Sequence, residues 1–181
     1  MENAIGAAGQ VAMLTDDASR IEAYRAIGAA TRSEDFDSLF GLIGSLPEKH
    51  RNSFIVAAIP SLANDDPKKA AQLLEGGKLL LNELSRNRLV AEVAIKLANS
   101  DPSYATHWMD RLPQEQQPYA MEGVARQMAN YDLQGLSDRL AQSPRDKKWA
   151  AGVKVLIESI RASDPEMSES WQNALNTSGF K

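Results

Sequence analysis

The sequence has no cysteine and only two histidines, His50 and His107. The first absence removes disulfide scaffolds, thiolate metal sites and cysteine nucleophiles. The scarcity of histidine leaves few ingredients for a zinc site or a nucleophile–histidine pair. No apolar run approaches the ~18 residues of a membrane span. The opening residues, Met1 to Gln10, carry neither a basic stretch nor a sustained apolar core, so they make a poor signal peptide. The expectation is a cytoplasmic protein, although a piece of a longer exported chain would read the same. No glycine-rich phosphate loop, Ser–His–Asp arrangement, recognisable carboxylate dyad or histidine-rich cluster is present. The sequence therefore names no catalytic, cofactor-binding or metal-ligating residue, and the chain reads as a non-enzyme. No alternating apolar–polar run is long enough to argue for a sheet.

What is present is an ordinary balance: 181 residues, 43% hydrophobic and 24% charged, with a formal net charge of −4. That is enough apolar content for a folded domain and too little charge for disorder. The acid excess sits early, with 9 acids against 5 bases in residues 1–65 and parity afterwards. A nucleic-acid binder carries a basic excess on one face. The only basic cluster is Arg145, Lys147, Lys148 and Lys154, which reads as a solvated turn and helix start.

Aspartates that open an apolar segment recur at Asp35, Asp66, Asp101, Asp132 and Asp164, spaced 31, 35, 31 and 32 residues apart. Three are followed by proline. An aspartate carboxylate caps the free N–H groups of a helix start, and proline suits the first helical position. Forward of each aspartate, positions +4, +7, +8 and +11 are largely apolar, as in Leu39, Leu42, Ile43 and Leu46 or Ala105, Trp108, Met109 and Leu112. That spacing is one face of a helix. Backward, positions −11, −8, −7 and −4 repeat the pattern, as in Val90, Val93, Ala94 and Leu97. Proline at +12 (Pro47, Pro113, Pro144) stops the first helix. Helix A is thus expected near 36–46, 66–76, 102–112, 133–142 and 165–176, and helix B near 17–33, 49–64, 79–99, 116–130 and 147–162. Residues 2–14 read as a degenerate first helix A of an N-terminal hairpin, 2–34. Pro60 falls inside a helix B and predicts a kink.

Each hairpin has an apolar stripe that it cannot bury alone, so neighbours must stack. The expected fold is all-α: one repeat domain over 1–181, a short right-handed α-solenoid of about four to five helix-turn-helix repeats. A closed helical bundle is the competing architecture. The units, best seen in Asp101-Pro102, Ala105, Trp108, Leu112-Pro113, Ala125 and Met128-Ala129, resemble the helical-hairpin superfamily that includes TPR and HEAT-type repeats. They look most like the degenerate tandem repeats of many uncharacterised bacterial proteins. The resemblance covers about residues 16–176 and implies a binding scaffold without catalytic residues. The Trp-Leu-Gly-Tyr order of strict TPR is absent, and the internal Asp and Arg of strict HEAT do not line up. Polar or small residues at stripe positions near the ends (Thr31 and Gly28, Ser168 and Gln172) read as capping hairpins of a finished small array.

Several residues stand out from the repeat. Arginine recurs at −15 (Arg20, Arg51, Arg86), where Gln117 and Trp149 fill the other copies. These arginines are expected at the start of helix B, bonded to carbonyls or an aspartate of an adjacent turn; aligned on one ridge they would hold an acidic partner. The 66–100 repeat is longer and carries Gly76-Gly77 and Leu79-Leu80-Leu81, which reads as an extra turn of helix B or as a partner-binding lip. Trp108 and Trp171 share the +7 position and are expected in the core. Trp149 is expected to be exposed, and with Tyr104 and Tyr119 it is a candidate interface anchor. His107 and Asp110 lie three apart on a helix face, a pairing too small for a metal site; His50 likewise reads as structural.

The function expected is a non-enzymatic scaffold or adaptor that binds a partner protein or peptide, with Tyr104, Tyr119, Trp149, Leu79, Leu80, Leu81, Arg51 and Arg86 as candidate contacts. The alternative is a small acidic regulator that blocks a basic surface through Asp16, Asp17, Glu22, Glu34, Asp35 and Asp37. A pocket joining His107 to two carboxylates would instead indicate an enzyme. The sequence implies no cofactor, argues against membrane and nucleic acid, and leaves the partner's identity and the oligomeric state open.

Overall fold

A helix start leaves its first N–H groups without partners, and this chain repeatedly meets that need with an aspartate. Carboxylate oxygens of Asp16, Asp66, Asp101, Asp132, Asp146 and Asp164 each accept the backbone N–H three residues on, at 2.7–3.0 Å. The result, in a computed structural model that describes residues 4–11, 13–75, 79 and 81–180, is eleven helices and no strand among the described residues. In order they are α1 (Ala4–Val11), α2 (Asp17–Ala30), α3 (Phe36–Ile43), α4 (Glu48–Asp65), α5 (Pro67–Glu75), α6 (Glu83–Ser100), α7 (Pro102–Arg111), α8 (Gln117–Tyr131), α9 (Leu133–Gln142), α10 (Lys147–Ile160) and α11 (Pro165–Thr177). The odd-numbered helices are the expected A helices and the even-numbered ones the B helices. Of the five repeat aspartates, only Asp35 makes no capping bond, because its own backbone is already helical.

The largest departure from the expected boundaries is the start of α6, while α2 and α3 each end three residues early. The B helix of the long repeat starts at Glu83, four residues later than expected, because the Asn82 side chain accepts the N–H of Ser85 at 2.8 Å and caps it there. Leu79, ahead of that helix, is fully buried; Gly76, Gly77 and Leu80 lie outside the described residues. α4 continues as one helix through Pro60.

The position −15 from the repeat aspartate has a common task in four of its five copies, filled by arginine, glutamine or tryptophan. At the start of helix B it sends a side-chain N–H back to a carbonyl of the preceding segment. Arg20 Nε donates to Leu14 at 2.7 Å, Arg86 to Leu79 and Leu74, Gln117 Nε2 to Leu112 at 3.0 Å, and Trp149 Nε1 to Leu140 at 3.0 Å. These bonds go to carbonyls in the last turn of a helix or in the turn after it, where the helical ladder leaves acceptor capacity. Arg51 is the exception: its Nε is buried with no hydrogen-bond partner.

The helices form two compact units, Met1–Leu89 and Val90–Lys181. In the first, α2 lies along α4, α1 packs on α2 and α3, and α5 packs on α4. The α2–α4 approach depends on Gly28. A Cβ there would press into the Phe54 carbonyl oxygen and stand 3.2 Å from Ala57 Cβ. Ser53 and Ser61 hydroxyls of α4 donate to the Ile21 and Thr31 carbonyls on the α2 side at 2.8 and 3.0 Å. Phe36, Leu39, Phe54, Ile59 and Leu62 fill the core. Gly28 and Thr31, read as marks of a capping hairpin, are buried. Glycine is there for the close approach, and the Thr31 hydroxyl is satisfied by the Ile27 carbonyl at 2.7 Å.

In the second unit α8 is central, with α7, α9 and α10 against it, and α11 covers α10. Gly123 of α8 meets the Ala91 carbonyl and Ala94 of α6, where an added Cβ would fall 2.8 Å from Ala94 Cβ. Trp108 is fully buried. Trp149, expected to be exposed, is only 3% exposed. Its ring packs on Trp171 with centroids 6.5 Å apart, and the Arg145 guanidinium lies over it at 5.6 Å. Of the residues read the same way at the other end, Ser168 is also buried and Gln172 is half-buried. No helix is long and apolar enough to cross a membrane among the described residues.

Candidate functional site

In the second unit, two successive B-to-A turns, α6–α7 and α8–α9, border a cleft of about 370 Å³. Such volumes lie at the small end of ligand-binding clefts. Ala98, Val124, Met128 and Pro102 give it apolar walls, and Asn99, Thr106, Gln127 and Arg139 give it polar groups. Gln127 Nε2 donates to Asn99 Oδ1 at 2.9 Å, tying α8 to α6. Arg139 Nη1 donates to Thr106 Oγ1 at 3.0 Å, tying α9 to α7. Tyr131, the last residue of α8, stands on the rim with 79% of its surface exposed.

The residues around this cleft differ from those at the matching sequence positions of the first unit. The matching positions of the first unit belong to α3 and α5, whose preceding aspartates, Asp35 and Asp66, are also 31 residues apart. There, position +1 of the first A helix is Phe36, +5 is Phe40, and +7 of the second is Leu73. Phe36 is fully buried and stacks on Phe40 with centroids 5.6 Å apart. In the second unit the same three positions are Pro102, Thr106 and Arg139. Two rings and a leucine are replaced by a proline, a hydroxyl and a guanidinium.

The charges differ in the same way. In the first unit Lys69 of α5 pairs with Asp37 of α3 at 2.9 Å and lies over the Phe36 ring. Ser103 and Gly135 occupy those two positions in the second unit. Arg139 thus brings a cation into the cleft, and among the described residues no carboxylate forms an ion pair with it. A half-buried guanidinium with unused donors is suited to a planar acceptor such as a carboxylate.

None of the candidate partner contacts expected from the sequence is among the residues lining this cleft. Trp149 and Leu79 are core, and Arg86 is occupied by carbonyls. Leu81 and Arg51 are half-buried in the first unit. Tyr104 is half-buried with the Arg111 guanidinium 5.5 Å from its ring centre, and Tyr119 is exposed in the first turn of α8. His107 Nδ1 donates to the Ser103 carbonyl at 2.8 Å, while Asp110 pairs with Lys148 at 2.7 Å. The signal for Arg139 was present in the repeat: it is the one charged residue at a +7 position otherwise held by Leu42, Leu73, Trp108 and Trp171. Tyr131 is the one aromatic directly before a repeat aspartate.

The early acids are mostly committed to the fold. Asp16 caps α2. Asp17 receives the Lys49 ammonium at 2.6 Å and His50 Nε2 at 2.8 Å, and these hydrogen bonds, Lys49 first, hold its carboxyl below the ordinary value of 3.8. Glu22 pairs with Arg25 and Asp37 with Lys69. His50 is buried against the Tyr24 ring, with centroids 5.7 Å apart. Among the described residues no three His, Cys, Asp or Glu side chains are grouped so as to hold a metal ion. No protein-family model, curated protein or solved structure matches the chain.

Proposed function

We propose that this chain is a non-enzymatic binding module built as a short right-handed α-solenoid of TPR- or HEAT-like hairpins, and that it takes a partner protein or peptide in the cleft between α7 and α9. Stacked hairpins leave extended grooves between successive helices, which suits recognition of a partner chain. Within each unit the B helices lie against one another, α2 on α4 and α8 on α10, as stacking of like on like requires. The observation that carries the functional reading is the departure at Pro102, Thr106 and Arg139. Where one unit carries two phenylalanines and a leucine, the other has a proline, a threonine and an arginine around an open cleft. The exposed Tyr131 at its rim is the kind of residue on which interfaces are anchored. The alternative of an acidic regulator draws less support, because Asp16, Asp17, Glu22 and Asp37 serve caps and internal ion pairs.

Affinity purification from the source organism tests this reading when the wild-type chain is run beside Tyr131→Ser and Arg139→Met. The expected result is a partner recovered by the wild type and depleted by both variants, with all three chains melting alike. Equal recovery by all three places recognition elsewhere.

A further inference from the structure

The missing carboxylate identifies the occupant. In the first unit a cation and a carboxylate of this chain, Lys69 and Asp37, meet between successive A helices. In the second unit the cation has moved to Arg139 and the carboxylate position is Ser103. One donor of Arg139 is used by Thr106, and a guanidinium has five. The walls beside it are apolar: Val124 and Ala98 are buried, Met128 is half-buried, and Pro102 is exposed. We propose that the cleft binds an extended peptide segment of a partner protein, with an aspartate or glutamate side chain on Arg139 and a neighbouring apolar side chain packed between Val124, Met128 and Tyr131.

The binding chemistry follows from those groups. The acidic side chain supplies to Arg139 what Asp37 supplies to Lys69. A guanidinium offers parallel N–H donors to both oxygens of a carboxylate, so the acid is oriented as well as attracted. The apolar side chain covers the walls that Val124 and Met128 present, beside positions that carry Phe36 and Phe40 in the first unit. Asn99 and Gln127 already bond to each other at 2.9 Å, and each retains amide capacity for the peptide backbone. Asp132 lines the same cleft and is held to the α9 start by the Gly135 N–H at 2.9 Å. Its charge disfavours a second acid at that end, so one acid flanked by apolar residues fits better than an acidic run. The volume of about 370 Å³ admits one or two side chains rather than a folded helix.

This inference rests on the binding-module reading, and a random peptide library displayed on phage, panned against the whole chain, separates the two. The expected winners pair an aspartate or glutamate with a leucine, isoleucine, methionine or phenylalanine at a neighbouring position. A synthetic winner is expected to bind Arg139→Met about tenfold more weakly, the scale of one charged hydrogen bond. It is also expected to bind Tyr131→Ser several-fold more weakly, with the wild-type helical spectrum kept by both. Replacing the acid of the winner by its amide is expected to weaken binding to the wild type and leave binding to Arg139→Met unchanged. Winners without an acid, or with equal affinity for wild type and Arg139→Met, overturn the acidic peptide. If the purified partner is still lost with Tyr131→Ser in that case, the binding-module reading stands alone. A library that yields no winner overturns the peptide occupant.

Discussion

Replacing Gly28 by alanine tests the packing of the first unit, because elementary helix propensity and the structure give opposite signs. In a solvent-exposed helix, alanine is favoured over glycine by about 1 kcal/mol. At Gly28 the new Cβ would press into the Phe54 carbonyl oxygen and sit 3.2 Å from both Ala57 Cβ and the Ala58 nitrogen. The main obstacle is backbone of α4, which cannot turn aside as a side chain can. Relief requires α2 and α4 to separate by a fraction of an ångström to roughly 1 Å, and a gap of that size forfeits a quarter to a half of each affected contact's attraction. Overpacking of this kind costs about 1–3 kcal/mol. The expected net result is destabilisation by up to about 2 kcal/mol after the propensity gain is subtracted. At about 2–4 °C per kcal/mol for a chain of this size, the thermal midpoint falls by up to several degrees. Gly41 of α3 is the control, in the same unit and in a helix, with nothing within 4 Å of an added Cβ. Gly41→Ala is expected to stabilise by about 0.5–1 kcal/mol. Urea and thermal unfolding followed by circular dichroism read both. If Gly28→Ala and Gly41→Ala raise stability together, α2 and α4 are not in backbone contact and the packing described is wrong.

Three further perturbations have definite outcomes. Trp149→Phe removes the indole N–H bond to the Leu140 carbonyl and is expected to cost about 1 kcal/mol or more in urea unfolding; no loss of stability would mean that the ring is exposed, as its sequence position first suggested. Asp101→Ala removes a cap that bonds the Tyr104 N–H and is expected to cost about 1 kcal/mol, whereas Asp35→Ala, at a position without a capping bond, is expected to cost far less in the same assay. Asp17 is held below its ordinary value of 3.8 by Lys49 and His50, so its contribution to stability is present above that pH and is lost as pH falls through the lower folded-state value. Asp17→Asn is therefore expected to flatten the acid side of the stability–pH curve, and an unchanged curve would show that the clamp on Asp17 contributes nothing.

The helix pattern was legible because its signals are local. Asp66, Asp101, Asp132 and Asp164 cap within three residues of themselves, and Pro47, Pro113 and Pro144 stop helices within a turn or so, so the spacing of these residues places the elements. The same locality misplaced the start of α6. Leu79 to Leu81 look helical by composition, while Asn82 decides the boundary by capping. Trp149 was misread for a different reason. It occupies an arginine position, and arginine is usually exposed, but the position's task is to donate an N–H to a carbonyl, which indole does from a buried site. Gly28 looked like a weak stripe residue until the distance to α4 gave it a purpose. The cleft needed tertiary structure, because Thr106 and Arg139 are 33 residues apart and meet only when α7 lies beside α9. Its sequence trace was present in the one charged residue at +7, but a single departure in a degenerate repeat has no meaning until its neighbours are known.

The account's central claim is that recognition takes place in the cleft around Arg139 and Tyr131. Hydrogen–deuterium exchange on the chain with its purified partner measures this directly. Binding in the cleft is expected to slow exchange in the C-terminal turns of α6 and α8 and in the first turns of α7 and α9, an effect lost with Arg139→Met. Protection confined to other helices, with the cleft exchanging as it does in the free chain, would contradict it.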